Sequence, residues 1–251
     1  MNRFRGVLRK NRIYLTALIL SIMAALVIGG ALMLITGFNP FDGYLAMIDG
    51  ALGSPRVFGN TLAKMITLCL TGLAMTVAAK AGMFNVGGEG QLFLGGLAAT
   101  MTGICLQGAS PLIAVPAAFL SAALAGGIYA FIPAVLKVRL KVNEVITTIM
   151  LNSVAIYVCS YLVNSSGPLA TDDHGVLGGT DEVPEAFRFA QMIPLSNLST
   201  ALIYSAAIAF LCWYVMNRTA LGLEMKVTGD NERFAFFAGL PRDRIMIWSM
   251  V

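Results

Sequence analysis

The sequence predicts an all-α protein that crosses a membrane several times, and two properties of the chain support this fold class. Of the 251 residues, 57% are hydrophobic and only 12% are charged, whereas about a quarter of the residues are charged in a typical soluble domain. The apolar residues are also gathered in runs close to the ~20 residues that a helix needs to cross the apolar core of a bilayer. We therefore expect an all-α polytopic membrane protein with one transmembrane domain over residues 1–251.

Six of these runs are predicted to be membrane-spanning helices, and a seventh begins close to the last residue. Because only a few residues follow the start of the seventh run at Ile245, either the protein has an unusual end or the chain is a C-terminally shortened form of a longer protein. The six runs cover residues 13–37, 61–80, 86–107, 111–136, 145–163 and 198–216.

The first run follows the basic start MNRFRGVLRKNR, an arrangement that is also found in secretory signal peptides. The apolar core of a signal peptide has only ~7–15 residues, whereas residues 13–37 form a longer run. We therefore predict that this segment is retained as the first helix.

The lysines and arginines predict which side of the membrane each connecting segment faces. If residues 1–12 form a basic cytoplasmic N-terminus, 14 of the 17 lysines and arginines fall in inner segments, and only Arg56 and Arg188 lie outside. Cytoplasmic segments are generally rich in these residues, so we expect a multi-pass membrane protein with its N-terminus inside. The net charge of +4 then reflects membrane orientation, and no nucleic-acid partner is expected.

This orientation places two longer segments outside. Residues 38–60 are too short and too polar to span, so we expect a short helix and a turn along the membrane surface. Residues 164–197 form an acidic external loop, which is either a solvated connector or a docking surface for an external partner. The loop contains the single histidine, His174, beside Asp172 and Asp173.

The four cysteines are expected to be small packing residues. Each lies in a different predicted helix, and the sequence has neither a CxxC pair nor a cysteine–histidine spacing suited to a metal. No metal site is therefore predicted, and the main interpretation of the sequence assigns no catalytic residue. The cysteines are Cys69, Cys105, Cys159 and Cys212.

The stretch AGMFNVGGEGQLFLGG, residues 81–96, places polar side chains and six glycines at the start of the third predicted helix. Asn85 is a candidate N-cap, and Glu89 would lie about one turn in, where the positive end of the helix dipole favours a carboxylate. Two interpretations remain open. Either this is a capped helix start in which Glu89 pairs with a lysine such as Lys80, or Asn85, Glu89 and Gln91 lie on a polar pathway through the bundle. Glycine-interrupted helices are common at the substrate sites of transporters.

The stretch LKVNEVITTIMLN, residues 140–152, begins the fifth predicted helix. Asn143 is predicted to cap this helix, with Glu144 in its first turn. Thr148 adds a hydroxyl further along. Asn152 is a lone amide in an apolar helix, so it needs a partner, which is either a neighbouring helix or a polar solute.

The segment 217–244 is predicted to be an inner loop that contains a short amphipathic helix at residues 231–238. Asp230 is a candidate cap, with Gly229 before it, and Gly239 is expected to end the helix. Exposed aromatic residues on a charged loop indicate a protein partner. The two aromatic residues are Phe234 and Phe237.

In these three stretches the sequence resembles the permease subunits of ATP-binding cassette (ABC) importers, in the group that serves ribose-like sugars, nucleosides and branched-chain amino acids. GMFNVGGEGQLFLGG and NEVITTIMLN are similar to the nucleoside and simple-sugar branch, and VTGDNERFAFFAGLP is similar to the loop with which that family meets its ATPase. The resemblance covers the chain from about residue 40 to its end.

The resemblance implies a pore made by two permease chains, as a homodimer or heterodimer, with two cytoplasmic ATP-binding subunits and an external solute-binding protein. The sequence contains no GxxxxGK[ST] phosphate loop, so ATP would be bound by the partner subunits, and no cofactor is expected on this chain. The family's coupling helix, which sits in a groove of the ATPase, is expected within residues 229–239. The expected coupling residues are Gly229, Asp230, Asn231, Phe234, Ala235, Ala238 and Gly239.

The implied function is the import of a small polar solute by alternating access, with a nucleoside as the first choice of substrate and a simple sugar as the second. An ion-coupled secondary transporter is an alternative, but such a carrier usually has paired ionisable residues deep in its helices, and here Lys64, Lys80 and Glu89 all lie near predicted helix ends. A membrane-embedded enzyme is a further alternative, for which His174 is a candidate residue. The expected pathway residues are Asn85, Glu89, Gln91, Thr148 and Asn152.

Overall fold

The computed structural model describes residues 2–164, 166–171, 179–184 and 188–251, with side chains from residue 14 onwards. These residues form ten α-helices, and their β-structure is limited to one isolated bridge between Gln191 and Ser199. The all-α prediction is therefore confirmed. The helices are α1 (Asn2–Ile35), α2 (Pro40–Leu52), α3 (Pro55–Lys80), α4 (Gly88–Cys105), α5 (Pro111–Leu140), α6 (Glu144–Val163), α7 (Ala201–Arg218), α8 (Ala220–Asp230), α9 (Glu232–Phe237) and α10 (Arg242–Met250).

Five helices of the described chain are long and apolar enough to cross a membrane, which agrees with a polytopic membrane protein. The third predicted span is helical but is not among the five. It forms α4, which has 18 residues, and the glutamate, glutamine and glycines near its start make it less apolar than the others. The five candidate spans are Tyr14–Ile35, Pro55–Lys80, Pro111–Leu140, Glu144–Val163 and Ala201–Arg218.

The short helix predicted within residues 38–60 is present as α2. Asn39 caps α2, since its side-chain oxygen accepts a hydrogen bond from the backbone N–H of Phe41 at 3.0 Å. Pro40 occupies the first helical position, where its missing N–H costs nothing. The next helix, α3, begins at Pro55 for the same reason, six residues before the predicted start at residue 61.

The chain divides into two compact units, and the first comprises residues 1–62 and 193–197. Within it, the Tyr44 hydroxyl of α2 donates a hydrogen bond to the backbone carbonyl of Leu26 in α1. The side-chain oxygen of Asn60 accepts a hydrogen bond from the backbone N–H of Asn197 at 2.8 Å. These bonds hold α2 against α1 and attach the turn at residues 193–197.

The second unit comprises residues 63–192 and 198–251, and it contains all the residues predicted to lie in the pathway and in the coupling helix. Here α4 packs mainly against α5 and α6, and α10 packs against α5 and α8. Small residues allow the α4–α5 approach, and the Thr102 hydroxyl of α4 donates to the Ser121 hydroxyl of α5 at 2.8 Å. The buried apolar core of this unit consists of Ala78, Met83, Ala134, Val138, Met246 and Met250.

The connection from α5 to α6 agrees with the predicted cap. The side-chain oxygen of Asn143 accepts a hydrogen bond from the backbone N–H of Val145 at 2.9 Å. Glu144, in the first turn, is buried and forms an ion pair with Lys137 at 2.6 Å. This ion pair joins the last turn of α5 to the first turn of α6.

The predicted packing role of the cysteines is wrong for two of them. Cys159 is buried and Cys212 is half-buried, but Cys69 and Cys105 are exposed, because they lie on helix faces that no other described element covers. The proposed catalytic candidate His174 and its neighbours 172–173 lie outside the described residues.

Candidate functional site

Residues 81–87 connect α3 to α4 without forming a helix: the chain turns at residues 81–82 and again at Gly87, with irregular backbone between them. Every second residue of this segment is buried. The four buried positions are Ala81, Met83, Asn85 and Gly87.

The 81–87 segment turns back along α3. A methyl group placed on Gly88, the first residue of α4, would lie 3.6 Å from the Cβ of Thr71. Thr71 precedes the last residue of α3, Lys80, by nine residues, or about 14 Å along the helix axis. The start of α4 therefore lies beside the middle of a candidate membrane span. Non-helical backbone at such a depth needs hydrogen-bond partners from the protein.

Asn85 supplies the first of these partners. Its side-chain oxygen accepts hydrogen bonds from the backbone N–H of Gly87 at 2.9 Å and from the side-chain nitrogen of Gln91 at 3.2 Å. The N-cap of α4 is Gly87, so the prediction that Asn85 caps the helix is wrong. Asn85 instead stabilises the turn that leads into the cap, because it lies two residues too early to reach the first helical turn as a cap does.

Asn152 of α6 supplies the second set of partners. Its side-chain nitrogen donates to the backbone carbonyl of Val86 at 3.0 Å, and its side-chain oxygen accepts from the backbone N–H of Gly90 at 3.0 Å. Gly90 is the third residue of α4, whose N–H has no acceptor within its own helix. Asn152 thus caps α4 from a different helix. The sequence left open whether this amide pairs with a neighbouring helix or with a polar solute. In the structure it pairs with protein backbone atoms.

Thr148 is fully buried beneath the start of α4. Its hydroxyl donates to the backbone carbonyl of Glu144 at 2.7 Å, and its Cβ lies 3.4 Å from where a methyl group on Gly87 would be. Thr148 therefore packs beneath the cap and does not offer its hydroxyl to an open cavity.

Glu89 and Gln91 lie on the more accessible side of the α4 start. Glu89 is exposed, and no ion pair joins it to Lys80 in the described chain, so the predicted pair is wrong. The carboxylate still lies in the first turn, where the helix dipole favours it. Gln91 is half-buried and borders a cavity of about 270 Å³ formed with α3, α7 and α10.

The short helix predicted at residues 231–238 is present as α9, with each end within one residue of the prediction. Its N-cap is Asn231, whose side-chain oxygen accepts from the backbone N–H of Phe234 at 3.0 Å. Asp230, the predicted cap, is instead the last residue of α8, a helix that was not predicted from the sequence. Asn231 is the cap because it lies three residues before Phe234, and at this spacing a cap side chain reaches a backbone N–H.

Gly239 ends α9 as predicted. It has a φ of 78°, a left-handed conformation that glycine adopts without strain. Its N–H donates to the carbonyl of Phe236 at 3.1 Å, and the N–H of Leu240 donates to the carbonyl of Ala235 at 3.0 Å. This pair of bonds is a Schellman motif, which satisfies the last carbonyls of the helix.

The α9 helix has one buried face and one exposed aromatic face. Ala235 is fully buried, whereas Phe234 and Phe237 are 60% and 84% exposed. The expectation of exposed aromatic residues is confirmed. Apolar side chains this exposed on a short helix are typical of an interaction surface.

The end of α8 contacts the turn that follows α3, and this contact was not predicted from the sequence. A methyl group on Gly229 would overlap the backbone carbonyl of Lys80 and would lie 2.9 Å from the backbone nitrogen of Gly82. The two backbones therefore touch, which requires glycine at position 229. This contact links residues 217–244 directly to the 81–87 segment and so to the start of α4.

Removing the α9 cap gives a local test of this part of the structure. In Asn231→Ala, the Phe234 N–H loses its acceptor, which typically costs about 1 kcal/mol of helix stability. Hydrogen exchange at the Phe234 amide is therefore expected to accelerate about fivefold. Asn231→Asp retains a cap oxygen and should exchange like the parent protein. Equal rates in parent and alanine variant would show that Asn231 does not stabilise α9.

The family described as "Branched-chain amino acid transport system / permease component" matches residues 57–251. The guanosine ABC transporter permease protein NupP of Bacillus subtilis (strain 168) is 31% identical over 242 residues, which cover 96% of this chain and 69% of that protein. No solved structure matches the chain.

Two further relatives are named as permeases for glucose and for nucleosides. The glucose ABC transporter permease protein TsgB13 of Haloferax volcanii is 33% identical over 247 residues, covering 92% of this chain and 62% of that protein. The nucleoside ABC transporter permease protein NupB of Lactococcus lactis subsp. cremoris is 32% identical over 251 residues, covering 96% and 68%. The chain thus spans 62% to 69% of the length of these three relatives. The family match covers most of the chain, and the chain therefore belongs to the family of branched-chain amino acid transport system permease components.

Proposed function

We propose that this chain is a membrane-spanning permease subunit of an ABC importer, and that it moves a nucleoside, or as a second choice a simple sugar, by alternating access. The relatives described above are named as permeases for guanosine, nucleosides and glucose, which supports both the transporter class and the order of substrates. In this proposal the chain spans the bacterial inner membrane with its N-terminus on the cytoplasmic side. ATP is bound by partner subunits.

The contact between Gly229 and the Lys80–Gly82 turn is the observation that carries the proposed mechanism. When ATP draws the partner subunits together, α9 is displaced as the coupling helix, and α8 moves with it. Because the end of α8 touches the turn after α3, this movement reaches the 81–87 segment and the start of α4. Helices that move as rigid bodies in this way can open a cavity alternately to the two sides of the membrane.

The hydrogen bonds at the start of α4 divide the proposed pathway residues into two groups. Asn85, Thr148 and Asn152 form hydrogen bonds with protein atoms and position the backbone. Gln91 borders the cavity and Glu89 is exposed, so these two side chains are the ones available to a solute. An amide suits a neutral polar solute that must bind weakly enough to leave again.

The proposed assembly also includes a second permease chain and an external solute-binding protein. The exposed face of α9 is assigned to the ATP-binding subunit, because Phe234 and Phe237 would be covered there. The segment at residues 164–197 is assigned to the outside, where the binding protein delivers the solute.

Purification of the assembled transporter tests the α9 assignment. With a tag on this chain in its native membranes, Phe237→Ala is expected to reduce the co-purified ATP-binding subunit at least several-fold. Phe237 is 84% exposed, so its removal should not unfold this chain. Leu112→Ala is the matched control, since Leu112 is 87% exposed at the start of α5. Equal recovery of the ATP-binding subunit in all three proteins would contradict the assignment of α9.

Uptake into proteoliposomes tests the importer mechanism itself. Uptake of radiolabelled guanosine is expected to require hydrolysable ATP on the side of the ATP-binding subunits and to be insensitive to proton and sodium gradients. Uptake driven by an ion gradient without ATP would instead identify a secondary transporter.

A further inference from the structure

The cavity beside Gln91 has the size and walls of a small-molecule site. Its volume of about 270 Å³ is close to the lower end of the range for ligand pockets. It lies at the start of α4, opposite the middle of α3, and interrupted helices at mid-membrane are where transporters commonly bind their solutes. Leu73 of α3 and Ile208 of α7 form aliphatic parts of the wall.

An indole ring forms another part of the wall. Trp248 of α10 lines the cavity and is 67% exposed, so much of its surface is free to contact a ligand. Flat aromatic rings stack on such a surface, and every nucleobase has a face suited to this. Apart from Gln91, Cys212 and Ser249, the rest of the wall is apolar, which favours a flat ring system over a fully hydroxylated solute.

Gln91 adds a hydrogen-bonding edge to this cavity. One hydrogen of its side-chain nitrogen is donated to Asn85, which is itself held by the Gly87 N–H. Among the described residues, the second hydrogen and the side-chain oxygen of Gln91 have no partner. A fixed amide thus presents a donor and an acceptor side by side, the arrangement with which glutamine and asparagine pair with the edge of a nucleobase.

We propose that the cavity between Trp248 and Gln91 is a nucleobase subsite, in which the base of a nucleoside stacks on the indole of Trp248 and pairs with the Gln91 amide. This inference rests on the proposed import function and adds to it the residues that select nucleosides over free sugars. A pentose or hexose has neither the aromatic face nor the flat edge, so it gains less from either residue.

Tryptophan fluorescence tests the subsite by binding alone. The sequence has two tryptophans, Trp213 and Trp248, and Trp213 lies outside this cavity, stacked on Phe210 at 5.7 Å between ring centroids. In the purified complete transporter, guanosine is expected to quench the fluorescence of the parent and of Trp213→Phe. This quenching should be lost in Trp248→Phe. The tryptophans of the partner subunits are the same in all three proteins, so they do not contribute to the difference. Ribose should quench none of the three. Quenching that persists in Trp248→Phe, or an equal effect of ribose, would overturn the subsite.

Uptake measurements separate this proposal from the import function. Trp248→Ala is expected to weaken guanosine uptake about tenfold, whereas Trp248→Phe, which retains a ring, should lose less. Gln91→Leu should likewise lower guanosine uptake, and Trp213→Ala should not. ATP-driven uptake of guanosine that Trp248→Ala leaves unchanged would overturn the nucleobase subsite and leave the importer intact. If the parent instead showed guanosine quenching that Trp248→Phe loses, but no ATP-driven uptake of any solute, that result would support the subsite and contradict the importer.

Discussion

Gly229→Ala is expected to abolish ATP-driven uptake while leaving the helices themselves in place. The added methyl group would overlap the carbonyl of Lys80 and lie 2.9 Å from the nitrogen of Gly82. Both are backbone atoms, so no side chain can rotate away, and α8 must separate from the turn after α3. Overpacking of this kind typically costs about 1–3 kcal/mol. This contact connects α8 to the 81–87 segment. Its loss should therefore prevent the movement of α8 from reaching α4.

The measurement compares uptake with ATP hydrolysis in proteoliposomes. We expect hydrolysis by the partner subunits to continue in Gly229→Ala while solute uptake falls at least tenfold. Gly96→Ala is the matched control, since a methyl group at Gly96 of α4 meets no atom within 4 Å, and alanine is favoured over glycine in a helix interior. If Gly229→Ala transports within twofold of the parent, the α8 contact does not transmit movement.

Asn152→Ala is expected to give the largest loss of stability. The substitution leaves the backbone carbonyl of Val86 and the backbone N–H of Gly90 without partners. A buried polar group that loses its partner costs about 1–3 kcal/mol, so the two groups together should cost about 2–6 kcal/mol. Thermal unfolding of the purified protein, followed by the loss of helical circular dichroism, measures this change.

Ser153→Ala is the control for this substitution, because Ser153 is the next residue of α6 and is exposed. It should leave the unfolding temperature nearly unchanged. If Asn152 acts by positioning α4, the remaining folded protein should keep the parent ratio of nucleoside to sugar uptake. An Asn152→Ala protein of parent stability with a changed ratio would show that Asn152 contacts the solute instead.

The helices and their caps were largely predictable because they depend on local sequence. Apolar runs of sufficient length predicted α1, α3, α5, α6 and α7, since burial of a whole helix in lipid needs about 20 such residues. Asn143 and Gly239 were assigned correctly, because a cap acts within three or four residues of its own position. Asp230 and Asn85 were assigned wrongly, each because a neighbouring residue occupies the cap position.

The candidate site was predictable in its residues but not in its contacts. The polar side chains of residues 85–91 and Asn152 were identified because amides are rare in apolar helices and need partners. That Asn152 caps α4 could not be predicted, because its acceptor and donor lie more than sixty residues away in sequence. Trp248 gave no sequence signal, since one tryptophan in an apolar run is an ordinary feature of membrane helices.

The sequence by itself determined that this chain is helical and polytopic, where α4, α5, α6, α7 and α9 begin and end to within about four residues, and which family it resembles. Those properties follow from apolar periodicity, helix caps and short motifs, which act over a few residues. The tertiary structure decided that α4 begins beside the middle of α3, that α6 satisfies its first turn, and that α8 touches the turn at Lys80–Gly82. Each of these depends on which distant backbones approach one another, and that approach is set by the packing of whole helices.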